Sequence, residues 1–261
     1  MMNGTEPRNK IPLIRRTRDY RLYDFKGGRY LDLFLDGGRA LMGHKHGRAI
    51  LMMKNSLEKG MAASYPGVWE GRLLKQLGLL YPEIREVSLF FAGRDDKAPA
   101  ERSKYRLFRP FEYESPAAAE GFTDAPFELL LPLPGSSPVR VICALDGCNE
   151  QLPPSDPVPQ YLYSGLCRAA ADLKAFAADV NPAVWASFDS PLWSRRGPWL
   201  LPKAGGDEYD ALFDAFLARG MLLSPDRSVP SCAPYRFTEG EIKPIKEIER
   251  EFGNPSEGKS K

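Results

Sequence analysis

Histidine and cysteine are scarce in this chain, neither sign of charge prevails, and no apolar run approaches the length of a membrane span. Two histidines and four cysteines occur in 261 residues. Cys143, Cys148, Cys167 and Cys232 include no CxxC pair, which argues against zinc, and they are too sparse for a disulfide framework. They read as buried thiols. His44 and His46 alternate in Gly43-His44-Lys45-His46 without carboxylate or thiol neighbours in sequence, an arrangement that seldom holds a metal. With 36 basic and 34 acidic residues the net charge is +2, so no concentrated basic face is expected for nucleic acid, and Arg15, Arg16 and Arg18 read as a solvated stretch. A bilayer-spanning helix needs about 20 consecutive apolar residues, and none is present. The opening MMNGTEPRNK has no apolar signal-peptide core, so the expected address is cytoplasmic. What remains, 43% hydrophobic and 27% charged, is the composition of a globular protein with one large domain or two modest ones.

The first structured element reads as a hairpin. Tyr20 to Phe25 and Tyr30 to Phe34 alternate apolar and charged residues around Lys26-Gly27-Gly28-Arg29, whose glycines allow a tight turn. Ile50, Met53 and Leu57 then recur at helical spacing until Gly60, and Leu73, Leu74, Leu77 and Leu80 mark one face of a second helix. Glu86 to Ala92 is an apolar strand that ends at Gly93, and Phe127 to Leu131 and Val139 to Leu145 read as buried strands. The proline-rich connection Leu152 to Pro159 cannot be regular structure. Ser164 can cap a helix with Leu166, Ala169, Ala170, Leu173 and Ala177 inward. Trp185 to Pro202 reads as aromatic strand and loop. Another helix runs from Asp207 to Gly220, with Leu212, Phe213, Phe216 and Leu217 inward, followed by a short strand at Met221 to Leu223. Thr238 and Glu241 form a capping box ahead of a helix whose apolar side is Ile242, Ile245, Ile248 and Phe252.

From Ile11 to Phe91 the sequence resembles the amino-terminal part of class III aminotransferases, the group that includes glutamate-1-semialdehyde aminomutase. The resemblance lies in the hairpin Tyr20 to Leu33, the turn Gly37-Gly38, Met42-Gly43-His44-Lys45-His46, the glutamate-led helix Glu70 to Leu80 and the strand Val87 to Phe91. Gly47 stands where the group usually has proline. Phe213 to Phe252 is similar to the carboxyl-terminal part, through Arg219-Gly220-Met221, Ser224-Pro225, Ser231 and Thr238 to Ile242. The resemblance implies an α/β, pyridoxal-phosphate-dependent-transferase-like fold: a small α+β domain formed by both chain ends, plus a reduced large-domain sheet with flanking helices. On that basis residues 11–91 and 205–253 would form the small domain with its lead-in, 92–204 the reduced large-domain remnant, and 1–10 and 254–261 flexible tails.

An aminotransferase needs a lysine for the internal aldimine, an acid at the pyridine nitrogen and donors around the phosphate. The group's phosphate loop, SGTEA, is replaced here by Ala92-Gly93-Arg94-Asp95-Asp96. Gly93 matches, the hydroxyls are gone, and Arg94 is either a compensating phosphate ligand or part of a plain surface turn. Asp146, at the end of an apolar strand, stands where the resemblance would place the acid, and the other reading is a turn-forming Asp-Gly. The lysine segment is missing: no lysine lies between Lys104 and Lys174, and Lys174 falls inside a helix with no matching motif. Lys97 is equally unsupported.

Three readings of function follow. The first is an aminotransferase-derived pseudoenzyme without transaminase activity, acting as a binding or dimerising module, either a homodimer or paired with a related aminotransferase. No cofactor is expected on this reading, or pyridoxal phosphate held without a covalent bond through Gly93, Arg94 and Asp146. The second is an aminotransferase or aminomutase with a non-standard lysine. The third is a binder of phosphate-bearing small molecules, with Trp185, Phe188, Trp193, Trp199, Arg195 and Arg196 lining its pocket or, on the plainer reading, forming core. No nucleic-acid or membrane partner is expected.

Overall fold

The computed structural model describes residues 7–45, 47–91, 105–136 and 138–252. The chain forms two compact units, one from Met1–His46 with Asn181–Lys261 and the other from Gly47–Val180. The segment from residue 47 to residue 91, which the resemblance groups with the chain ends, is in the second of these.

In the first unit, after the single turn α1 (Pro7–Lys10), the strands β1 (Ile14–Arg18), β2 (Arg21–Asp24) and β3 (Arg29–Asp32) form an antiparallel meander. The predicted hairpin is β2–β3. The carboxylate of Asp24 accepts hydrogen bonds from the amides of Lys26 and Gly28, and Gly27 takes a φ of +89°, so the turn closes without a steric cost. The short strand β10 (Met221–Leu222) joins β3 in parallel, giving the order β1-β2-β3-β10. Helix α5 (Gly206–Ala218) buries Tyr209, Leu212, Phe213 and Phe216, and α6 (Glu239–Phe252) buries Ile245 and Ile248 behind the expected capping box at Thr238 and Glu241. A 3₁₀ segment, Pro182–Phe188, leads into the hairpin β8 (Trp193–Arg196) and β9 (Trp199–Pro202), to which β11 (Ser231–Cys232) adds a third strand.

The second unit has a sheet of order β4-β7-β6-β5, built from β4 (Ile84–Phe91), β5 (Arg106–Phe108), β6 (Phe127–Leu129) and β7 (Val139–Leu145). β4, β5 and β6 run in one direction and β7 opposes them. β7 buries six of its seven residues, as its unbroken apolar sequence requires. Three helices accompany the sheet: α2 (Ala49–Glu58), α3 (Val68–Leu80) and α4 (Gln160–Asp179), with α4 packed on both others. Helix α4 begins four residues before the expected Ser164 cap. Ser164 is fully buried inside it and its hydroxyl donates to the carbonyl of Tyr161, while Pro159 occupies the cap position. Ala177 is exposed and Phe176 takes the inward place.

The connection from Leu152 to Pro159 is irregular, as its prolines dictate, yet it is hydrogen-bonded along β4. Ser88 donates to the carbonyl of Pro153, the Leu89 amide donates to Ser155 Oγ, and the Asp156 amide donates to the carbonyl of Leu89. These bonds satisfy polar groups on the side of β4 away from β7.

Candidate functional site

Open α/β sheets offer their ligand crevice at the carboxyl ends of the strands. In the second unit those ends are Phe91, Phe108 and Leu129, beside the start of β7 at Val139. The Phe91 amide donates to Asp156 Oδ2 at 2.7 Å. Arg140 donates to Glu128 Oε2 at 2.7 Å across β6 and β7, and both side chains are largely buried. Just beyond β5, Arg109 stands 3.6 Å from Glu112. Between that pair Phe111 holds a φ of +64°, a conformation costing a bulky residue about 1–3 kcal/mol. Its ring packs edge-on against Phe176 at 5.9 Å, which keeps it there. The arginines at this end, Arg140 and Arg109, are therefore already engaged by carboxylates. Gly93 and Arg94 lie outside the described residues.

Asp146 is at the other end of the sheet. β7 is antiparallel to β4, so Val139 pairs with Phe91 while Leu145 pairs with Ile84, and the Asp146 amide donates to the carbonyl of Glu83. Seven residues of strand, about 23 Å at ~3.3 Å per residue, separate Asp146 from the end that leads to Gly93. Its side chain is 71% exposed, 3.4 Å from the guanidinium of Arg85, on an open groove of about 410 Å³ that also takes in Glu86, Cys148, Asn149 and Glu150. Gly147, at φ +88°, completes an Asp-Gly turn. A carboxylate so exposed is poorly sheltered for holding a pyridinium proton.

The lysines lack shelter too. Among the described residues each is exposed except Lys10, which is half-buried and paired with Asp214. Lys174 points outward from α4 between the buried Leu173 and Phe176. Lys97 lies outside the described residues. A Schiff-base lysine is normally activated by desolvation or a neighbouring cation, and the described lysines show no desolvation of that kind. The described residues therefore do not fit a covalently held pyridoxal phosphate.

In the first unit the aromatic cluster is core. Trp185, Phe188, Trp193 and Trp199 are all buried, and Arg195 donates to Asp189 and to the carbonyl of Gly197. Trp185 packs on Tyr235, Phe188 on Phe237 and Trp193 on Phe216, each partner belonging to the same unit.

Sequence reasoning missed a constellation around Asp32. This carboxylate is buried; its Oδ1 accepts from the amides of Phe34 and Leu35, and its Oδ2 is hydrogen-bonded to His44 Nε2 at 2.8 Å. The His44 amide in turn donates to the carbonyl of Asp19. Between Asp32 and His44, Leu35, Asp36, Gly37 and Gly38 are all left-handed, with φ from +48° to +90°. Two of them are not glycine and cost about 1–2 kcal/mol each. The bonds to Asp32, together with complete burial of Leu35, hold this loop. Cys232 lies nearby, and burial, reinforced by the Asp32 charge, pushes its thiol well above the ordinary range, so it stays protonated and unreactive. The Asp32–His44 pair is thus a structural clamp. Its only signal in sequence was an acid ending one strand twelve positions before a histidine in a glycine turn. Among the described residues no group of acids, histidines and cysteines could hold a metal.

A protein of Borreliella burgdorferi without an assigned role is 26% identical over 246 residues, covering 92% of this chain and 91% of that protein. The glutamate-1-semialdehyde 2,1-aminomutase of Desulforamulus reducens is 26% identical over 200 residues, covering 75% of this chain but 43% of the aminomutase. Among solved structures, the ornithine aminotransferase of Toxoplasma gondii, described with partial occupancy of pyridoxal phosphate at its active site, superposes with a TM-score of 0.62 at 12% identity, over 97% of this chain and 93% of that one. No protein-family profile matches the chain. In sequence it is related to class III aminotransferases, and its mixed α/β fold is a reduced form of theirs.

Proposed function

We propose that this protein descends from class III aminotransferases, has lost transaminase chemistry, and works as a binding or self-associating module in the cytoplasm. The observation that carries the reading is the antiparallel pairing of β7 with β4. It sets Asp146 next to the Ile84 end of β4, with Phe91, the last described residue before Gly93, at the other end, and this supports a reading in which the acid and the phosphate donors named by the resemblance do not serve one ligand. The exposure of the described lysines supports the same reading. When bound to an enzyme, pyridoxal phosphate supplies an electron sink for carbanion chemistry. On this reading the chain retains none, and any that did bind would be held without a covalent bond. The association partner is a second copy or a related aminotransferase.

The test is direct. The full chain is incubated with pyridoxal phosphate, reduced with borohydride and digested, and the peptides are searched by mass for pyridoxyl-lysine. The expected result is no stoichiometric adduct and no visible absorbance retained after gel filtration. A single lysine labelled to completion would sink the reading and restore a transaminase with an unconventional lysine.

A further inference from the structure

The arginine-rich start of the first unit falls on a sheet edge. From Pro7 to Tyr30 there are eight basic residues and two acidic ones, although the whole chain is nearly balanced. Lys10 is held by Asp214 and Arg21 by Glu241, while the buried Asp24 carboxylate is committed to the amides of Lys26 and Gly28. Arg15, Arg18 and Lys26 are exposed and make no ion pair among the described residues, and the Arg16 guanidinium lies 4.5 Å from the centre of the Tyr23 ring. Register sets the arginines on one face. Arg18 pairs with Arg21, Arg16 with Tyr23 and Tyr23 with Arg29, while Leu22 and Asp24 alternate to the buried side. Where β1 begins, Leu13 and Phe25 stand side by side, joined by the bond from the Phe25 amide to the Leu13 carbonyl at 3.3 Å. They are 80% and 69% exposed.

We infer that this face docks the chain on an anionic phospholipid surface, with Leu13 and Phe25 entering the headgroup layer and Arg15, Arg16, Arg18 and Lys26 meeting the phosphates. The inference rests on the binding part of the function proposed above and gives it a partner. It needs no membrane-crossing helix, and none of the described helices is long and apolar enough to be one. The apolar pair decides between a bilayer and a protein. Leu13 and Phe25 expose roughly 250 Å² of apolar surface, about a third of the ~800 Å² that each side gives to a stable protein interface, whereas a bilayer takes up single apolar side chains and has no shape to match. Addition of a strand from a protein is opposed as well. The register of β1 shifts between Ile14 and Arg16, and a bulge with charged side chains is how an edge strand resists pairing. A nucleic acid would meet the arginines but leave Leu13 and Phe25 in water. An anionic leaflet serves both halves of the face, since its surface charge attracts the basic residues and its interior takes the apolar ones. The net charge of +2 conceals this because acids elsewhere in the chain offset a local excess.

Flotation of the full chain with lipid vesicles reads the outcome. The wild type is expected to float with vesicles of phosphatidylcholine and phosphatidylserine, to stay behind with phosphatidylcholine alone, and to be released by raised salt. R15Q/R16Q/R18Q is expected to lower the partition coefficient roughly hundredfold, about fivefold for each charge, and L13S/F25S about tenfold or more. Far-UV circular dichroism should be unchanged in both variants, because every substituted side chain is exposed. A wild-type chain that stays behind with both kinds of vesicle overturns the proposal and leaves the binding role to another partner. Equal flotation with both kinds removes the arginines from the account and overturns it as well. Flotation of L13S/F25S as strong as that of the wild type overturns it too, and makes the face a docking site for an acidic protein or a nucleic acid, where charge alone counts. Loss of transaminase chemistry is decided separately, by the lysine adduct.

Discussion

Asp32 has little water to fall back on. Its carboxylate is buried, and three donors, the amides of Phe34 and Leu35 and the ring of His44, converge on its two oxygens. Replacing it with alanine leaves two backbone N–H groups without their acceptor beside a fully buried Leu35, and each such loss costs about 1–3 kcal/mol. D32A is therefore expected to lose about 2–4 kcal/mol, read as a lower midpoint in denaturant with an unchanged slope. D32N keeps an acceptor for the two amides, and its amide group can meet His44 in the other tautomer, so its loss should be under half as large. Equal losses in the two variants would mean that the charge, and not the geometry, holds the loop. The same scale explains why this clamp was hard to read. Asp32 belongs to a hairpin pattern and His44 to a glycine turn, and only the left-handed run from Leu35 to Gly38 folds one back on the other.

Helix α6 shows what sequence reports well. Thr238 and Glu241 were legible as a capping box because the bonds are local: the Thr238 amide donates to Glu241 Oε2 at 2.8 Å, and the Glu241 amide donates to Thr238 Oγ1. The second duty of Glu241 was not legible, since its partner is Arg21, 220 positions away, at 2.6 and 2.7 Å. Partial burial would raise the Glu241 carboxyl, but the bonds from Arg21 and Thr238 outweigh it and the net shift is downward. The sign then follows. A carboxyl whose folded pKa lies below its unfolded value of about 4.5 contributes stability that is complete above that value and is lost as the pH falls through the folded pKa. E241Q should cost about 1–2 kcal/mol at neutral pH and flatten the acid limb of the stability profile below about pH 4.5, measured by urea unfolding at a series of pH values. An unchanged acid limb would remove Glu241 from the account. Helix α2 is the contrary case. Ile50, Met53 and Leu57 mark a helix by spacing, but spacing does not tell which face turns inward, and Ile50 and Leu57 face outward. The strands were found for their apolar runs, whereas the direction of β7 against β4 is a tertiary choice. That choice sets Asp146, at the end of its apolar strand as expected, beside the Ile84 end of β4 and away from Phe91.

At the scale of the molecule, each compact unit has its own sheets and its own buried aromatics, and the first is assembled from both ends of the chain. Folding of the first unit requires closing a loop through all of 47–180, while the second is continuous and rich in contacts between α2, α3 and α4. Loop-closure entropy rises slowly with length, so this difference bears more on rate than on stability. It still gives the units no reason to open together, because separate cores open with separate free energies. The four tryptophans provide a way to see this. Trp185, Trp193 and Trp199 are buried in the first unit, and Trp69, partly exposed on α3 with Arg72 stacked 4.8 Å from its ring, is the reporter in the second. In W69F, tryptophan fluorescence follows the first unit alone, while far-UV circular dichroism follows both, with α2, α3 and α4 contributing much of the helical signal. Guanidinium titration of W69F is expected to give one sharp fluorescence transition and a broader dichroism transition whose midpoint differs. Coincident curves with a common midpoint and slope would make the two units a single cooperative body.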